Sequence, residues 1–322
     1  MSLSVSPGAP AVLVAVALGI VYVVWGSTYL AIRIAVEDMP PLVAMGWRFL
    51  AAGLVLGLVL AIRLGPGALR IRARELLACA TMGLLLPVLG NGLVSVGENG
   101  GVPSGLTALL IAAVPLWVVC YRLISGDRPP RQTTFGVALG FAGLAMLVLS
   151  AGIEGGVPIG ATLIVVMAPM FWSFGSWLSP RLSLPANPFV ATAYEMACAG
   201  PVMLVMGMVD HESLVLHAST RSWLAWLYLV TFGSLLAFTA YVWVLRAAPI
   251  SLVATYAYVN PVVAVFLGWL VVGESITTAI VVGGAVVVGS VAIVIASERP
   301  AARRPRLPEV ADRQAREAIH AS

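Results

Sequence analysis

Lysine is absent from this chain of 322 residues, and all eighteen basic residues are arginine. Acidic residues are scarce too, so charged side chains make up only 10% of the sequence. A soluble domain carries about 25%, so the chain has too little charge to cover a water-soluble core. Cysteine is limited to Cys79, Cys120 and Cys198, and histidine to His211, His217 and His320. The cysteines lie in or at the ends of apolar runs and read as packing residues, with no metal or disulfide spacing. The histidines fall in a loop and in the tail. Enzyme chemistry needs clustered His, Asp or Glu, or a Ser beside a base. No such cluster occurs, so the sequence points away from an enzyme, and no catalytic residue, metal ligand or cofactor is assigned. The arginines sit in loops and the tail rather than on one soluble face, which excludes a nucleic-acid partner. The N-terminal stretch lacks a basic region, and its apolar run is too long for a signal peptide, so it reads as a retained first span.

What is abundant is apolar surface. Hydrophobic residues make up 60% of the chain, and the mean hydropathy is +1.00. A membrane span needs about 20 predominantly apolar residues. Ten such stretches fit, near 12–34, 41–62, 75–97, 102–122, 133–151, 158–178, 188–209, 222–245, 250–271 and 276–296. The predicted fold class is an all-α integral membrane protein with ten transmembrane helices in the lipid bilayer. Loops between spans are short. The tail 297–322 is polar and rich in Pro and Arg, and reads as a disordered cytoplasmic segment.

Arginine placement sets the orientation. With the N-terminus inside, the inner loops hold Arg63, Arg70, Arg72, Arg74, Arg122, Arg128, Arg131, Arg181 and Arg246. The tail adds Arg299, Arg303, Arg304, Arg306, Arg313 and Arg316, leaving Arg33 and Arg221 for the outer side. This excess predicts a multi-pass protein of the plasma membrane with both termini cytoplasmic.

The chain also repeats itself. PSGLTALLIAAVP from Pro103 to Pro115 matches PISLVATYAYVNP from Pro249 to Pro261, and PLVAMGWRFLAAG from Pro41 matches PFVATAYEMACAG from Pro188. Repeats 12–151 and 157–296 then hold five spans each. A second half that follows an odd number of spans enters from the opposite face, so the two five-helix repeats are expected to be inverted. Inverted repeats are the pattern of secondary transporters, with a substrate site near the midplane between the halves.

Several residues could build that site. Pro115 and Pro261 are repeat mates expected to kink spans four and nine. Asn260 precedes Pro261, and Tyr256 lies one turn earlier; Asn260 serves either the cavity or the freed backbone. Span one carries Trp25, Ser27, Thr28 and Tyr29, and span six carries Trp172 and Ser176, in both cases aromatics beside small hydroxyl residues. Asn91 lies between two glycines in span three. Glu98, at the outer end of that span, reads as a solvated cap. Arg48 and Glu195 are charges inside spans two and seven, at equivalent repeat positions; each costs about 2.5–3.5 kcal/mol on insertion scales. Their spans enter from opposite faces, so their backbones should differ in depth by roughly 9 Å. Each is expected to anchor its own membrane face, with Glu195 as proton carrier the alternative. Gly53 with Gly57, and Gly136 with Gly140, allow either tight helix contact or a homodimer.

Trp25-Gly-Ser-Thr-Tyr-Leu-Ala-Ile-Arg33, Pro103-Ser-Gly-Leu106, Pro115-Leu-Trp117, Ala254-Thr-Tyr-Ala-Tyr-Val-Asn-Pro261 and Gly273-Glu274 resemble the drug/metabolite transporter superfamily. Within it the chain resembles the EamA family of bacterial ten-span exporters, over about residues 12–296. The resemblance implies alternating access in a bacterial inner membrane. It implies a cavity lined by spans one, three, four, six, eight and nine, with spans two and seven peripheral. It also implies a small-molecule substrate, amino-acid-like or amphipathic, that is exported. The small multidrug branch carries an acidic residue in span one, and this chain has none there. Protons remain the candidate coupling ion, and proton-coupled multidrug efflux the alternative function.

Overall fold

A computed structural model describes residues 11–154, 156–215, 217–248, 253 and 255–297. The expected disordered tail, apart from Ser297, lies outside the described residues, as does Pro249 at the start of the second Pro-bounded segment.

The described regular structure is helical. We number the helices α1 Ala11–Ala35, α2 Pro41–Leu64, α3 Ala73–Asn99 and α4 Ser104–Ile124, followed by α5 Arg131–Glu154 and α6 Ile159–Leu178. Next come α7 Pro188–Val209, α8 Thr220–Val244, α9 Tyr256–Val272 and α10 Thr278–Ser297. Among the described residues all but α9 are long and apolar enough to cross a membrane, and α9 is a shorter apolar helix of 17 residues. Leu54, Leu58 and Ile62 on α2, Val205 and Val209 on α7, and Val262 and Phe266 on α9 are exposed. Such apolar surface suits lipid rather than water, because in a bilayer only the backbone needs internal partners.

Small residues set the helix contacts. α2 and α7 make the most extensive contact, followed by α5 and α10. A Cβ on Gly53 would stand 2.7 Å from the Ala197 main-chain nitrogen, and one on Gly46 would stand 3.1 Å from the Gly200 carbonyl oxygen. Numbers rise along α2 as they fall along α7, so the two pack antiparallel. Gly136 and Gly140 lie against Val294 and Ser290 of α10 in the same way, whereas Gly57 touches nothing. Three of the four glycines set aside for tight packing or a homodimer thus serve contacts within the chain.

Carboxylates bind helix starts together. Glu212, after α7, accepts from the main-chain N–H of Leu42 (3.2 Å) and Val43 (2.8 Å) at the start of α2. Glu274, after α9, accepts from Ser104 (2.6 Å) and Gly105 (2.9 Å) at the start of α4. Each satisfies two N–H groups that the helix cannot pair itself, and adds negative charge at the positive end of the dipole. Between α1 and α2, Asp38 accepts from the Ser222 hydroxyl at 2.9 Å and the Ser219 N–H at 3.2 Å, while Arg221 pairs with Glu37 at 2.8 Å.

The backbone is irregular at defined places. α1, α3 and α8 contain π-helical segments at Val21–Trp25, Leu84–Gly92 and Leu229–Leu236. α4 stops at Ile111 and restarts at Val114. The break falls at Ala112 and Ala113, just before Pro115, which takes an early position of the new helix, where its missing N–H removes no helical bond. Pro261 lies inside α9, which continues through it to Val272.

Two stability outcomes follow. Gly53→Val should push α2 off the α7 backbone and cost about 1–3 kcal/mol, read as a lower melting temperature in detergent. Hydrogen bonds from Ser219 and Ser222 hold the Asp38 carboxyl below its usual value. A depressed folded pKa gives stability that is present above the unfolded value and lost as pH falls through the folded one. Melting temperature should therefore drop in acid, and Asp38→Asn should flatten that drop.

Candidate substrate cavity

Two apolar cores flank one cavity. The first joins Ile32, Phe49, Val88, Met196 and Leu229; the second joins Ala112, Leu116, Leu147, Val165 and Val287. The cavity between them encloses about 150 Å³. Every backbone irregularity described above contributes to its wall: Trp25 from the π segment of α1, Pro87, Gly90 and Asn91 from α3, Gly233 and Ser234 from α8, and Ile111 and Ala112 from the break in α4. π-helical stretches are frequent at functional sites, and here all of them meet around one chamber.

Aromatic rings form one side. Trp25 stands 4.9 Å from Tyr241 and 5.4 Å from Tyr256, centroid to centroid, and Tyr241 and Tyr256 are 5.7 Å apart. The Trp25 indole donates to the Gly233 carbonyl at 3.3 Å, which fixes the ring against the irregular part of α8. Opposite, the Trp172 ring lies over Gly90, where a Cβ would come within 2.7 Å of it. Asn260 is buried, and its carboxamide donates to the main-chain oxygens of Tyr256 and Tyr22, both at 3.2 Å. It therefore ties α9 to the π segment of α1 while also lining the cavity. Asn91 lines the cavity and makes no side-chain hydrogen bond among the described residues.

Of the residues expected from the sequence, Trp25, Thr28, Tyr29, Asn91, Trp172, Tyr256, Asn260 and Pro261 come together on this wall. Ser27 and Ser176 do not. Ser27 bonds the Val24 carbonyl at 2.9 Å and the Tyr228 hydroxyl at 2.6 Å, and Ser176 donates to the Trp172 carbonyl at 2.8 Å. Pro115 also lies off the wall.

A correction concerns α2 and α7, expected at the periphery. Arg48 and Glu195 both line the cavity, as do Phe49, Thr192 and Met196. Peripheral lengths of these helices do face lipid, but the contact around Gly46 and Gly200 turns their middle inward. Arg48 is 4% exposed. Its Nε donates to the Ser234 hydroxyl at 3.1 Å and its Nη1 reaches Met45 Sδ at 3.5 Å. Among the described residues, its other guanidinium nitrogen and the carboxyl of Glu195 make no hydrogen bond. The two charges form no ion pair. From the antiparallel register of α2 and α7, Glu195 lies some five residues along the axis from the level of Arg48, roughly 7–8 Å.

Residues 11–149 and 159–296 match the EamA-like transporter family. The chain belongs to that family, so the protein is of a membrane-transporter class rather than an enzyme class. It is 43% identical over 261 residues to the inner membrane transporter YedA of Escherichia coli (strain K12), covering 81% of this chain and 83% of that one. It is 27% identical over 280 residues to the transporter YoaV of Bacillus subtilis (strain 168), covering 84% and 93%. It is 24% identical over 284 residues to a probable amino-acid metabolite efflux pump of Salmonella typhimurium, covering 80% and 86%. A solved crystal structure, 19% identical in sequence, shares the fold with a TM-score of 0.59, covering 87% of this chain and 95% of that one.

Proposed function

We propose that this protein is a secondary transporter of the bacterial inner membrane that exports small amino-acid-like metabolites by alternating access. The observation that carries this reading is the pair of unpaired opposite charges on one cavity wall. Arg48 offers guanidinium hydrogens to a carboxylate, and Glu195 offers a carboxylate to an ammonium, at a separation that leaves room for a zwitterion between them. Charge-assisted bonds of this kind are strong where water is excluded. Trp25, Tyr256 and Trp172 supply apolar faces for the rest of the molecule, while Thr28, Tyr29, Asn91 and Asn260 supply neutral polar contacts. The export direction takes support from the printed name of the Salmonella relative.

The architecture proposed is ten spans in two inverted five-helix repeats, 12–151 and 157–296, with both termini cytoplasmic. Its support is the pattern of contacts: the supposed repeat mates pack on each other, α2 on α7, α5 on α10 and α4 on α9. Elements related by a two-fold axis meet in this way when the axis passes between them.

Cavity size favours this reading over multidrug efflux. Sites for drug-sized ligands enclose about 300–1,000 Å³, against about 150 Å³ here.

The test is a panel of labelled amino acids, amines and bulky cationic drugs in proteoliposomes. At least one amino acid should exchange, and Arg48→Gln should raise its KM roughly 10- to 100-fold, the worth of a charged hydrogen bond. Transport confined to the drugs would contradict the proposal.

A further inference from the structure

At the outer-facing end expected for α3 lies a polar cluster that the substrate cavity does not use. Glu98 was expected to be a solvated cap. The structure corrects this: the residue is fully buried, and neither carboxylate oxygen has a hydrogen-bond partner. The cause is local. A Cβ on Gly97 would meet Val165 Cγ2 at 2.2 Å, and one on Gly100 would meet Ala161 Cβ at 2.8 Å. The two glycines let α6 close over this end of α3, and Glu98, which lies off that face of the helix, is directed toward α1 and α4 instead.

On α4, the hydroxyls of Ser104 and Thr107 are also fully buried and also lack partners. The Thr107 hydroxyl lies near enough to the Glu98 carboxyl to hydrogen-bond with it. Four buried side-chain oxygen atoms from two helices thus have no well-formed partner outside their own cluster. Such groups are costly to bury singly. Other charges face the cluster. Arg33 on α1 donates to the Glu98 main-chain carbonyl at 2.5 Å, but makes no ion pair with its carboxylate. Glu274 occupies the N–H groups of Ser104 and Gly105, and Tyr29 is the phenol near Glu98. The segment of α6 packed against Gly97 and Gly100 brings Ala161 and Val165, with the buried Thr162 between them bonded to the Pro158 carbonyl.

The cluster adjoins the cavity. Val94, Ala108 and Tyr29 line the cavity; Glu98, Ser104 and Arg33 lie one helical turn beyond them on the same three helices. An all-oxygen set containing a carboxylate and two hydroxyls suits a small hard cation. A buried carboxyl also exchanges a proton readily when its surroundings change.

We propose that Glu98, Ser104 and Thr107 form the binding site of a coupling cation, Na+ or a proton, whose binding and release drive substrate through the adjoining cavity. This inference rests on the transport reading above. Neutralising Glu98 removes the orphaned charge, so a vacated site and a loaded one favour different packings of α3 against α4.

The test uses proteoliposomes holding the full chain and an amino acid that it exchanges. In separate arms the vesicles carry a pH gradient without Na+, or a Na+ gradient at equal pH. Counterflow of the same amino acid without either gradient is measured beside them, and the readout is the ratio of gradient-driven to counterflow rate. Glu98→Gln should lower this ratio roughly tenfold or more in the arm that drives the wild type. Thr107→Val should lower it less and raise the cation concentration needed for half-maximal rate. The responding arm identifies the cation. An unchanged ratio in Glu98→Gln overturns the site. If Glu98→Gln shows no counterflow because it does not fold, an unchanged ratio in Thr107→Val overturns it. Wild-type counterflow that neither gradient accelerates overturns it too. Wild-type protein without any counterflow defeats the transport reading itself, and the coupling role with it.

Discussion

In hydrocarbon an unpaired peptide group has no water to turn to, and this constraint organises the whole molecule. Regular helix is therefore compulsory wherever α2, α5, α7 and α10 face lipid. Irregular backbone can exist only where protein or a polar interior receives it. The π segments of α1, α3 and α8 and the break in α4 all obey this rule by meeting around one cavity. The same rule explains why a cavity is there. Four helices with irregular backbone at mid-length meet around the chamber, and the Trp25 and Tyr256 rings close one side of it.

Charge follows the same logic with larger stakes. Arg48 and Glu195 occupy equivalent positions in the two matching sequence segments, yet they have opposite signs. Had they met, they would have neutralised one another and left a structural ion pair. The antiparallel crossing at Gly46 and Gly200 offsets them along the axis instead, so each keeps bonding capacity directed at the cavity. Glycine at the crossing brings the backbones of α2 and α7 close enough for both charges to share one wall. Glu98 repeats the theme one turn beyond the cavity, where Gly97 and Gly100 bury a carboxylate by letting α6 approach.

Much of this was legible in the sequence. Hydropathy placed nine of the ten expected spans within a few residues of the helices, because apolar length is a direct demand of the bilayer; the ninth, expected from 250, meets a shorter helix that begins at Tyr256. Trp25, Asn91 and Asn260 were recognisable, since polar and aromatic residues beside glycine or proline are rare at mid-span, and Trp172 was recognisable by the small hydroxyl residue beside it. The failures share a cause. The inward turn of Arg48 and Glu195 depends on which face of α2 meets α7, and small residues are too common in this chain to show it. The burial of Glu98 depends on a neighbouring helix some sixty residues away in sequence. Pro87 could have signalled the irregular stretch of α3, as Gly233-Ser234 could have for α8; nothing comparable marks Val21–Trp25 except the glycine that follows.

The central claim is that the cavity recognises a carboxylate through Arg48. Equilibrium binding to the purified wild-type protein tests it most directly, comparing one amino acid with its methyl ester and with the amine left by removing the carboxyl group. The account predicts that the acid binds roughly tenfold more tightly than either, or better. Equal affinity for all three would contradict it.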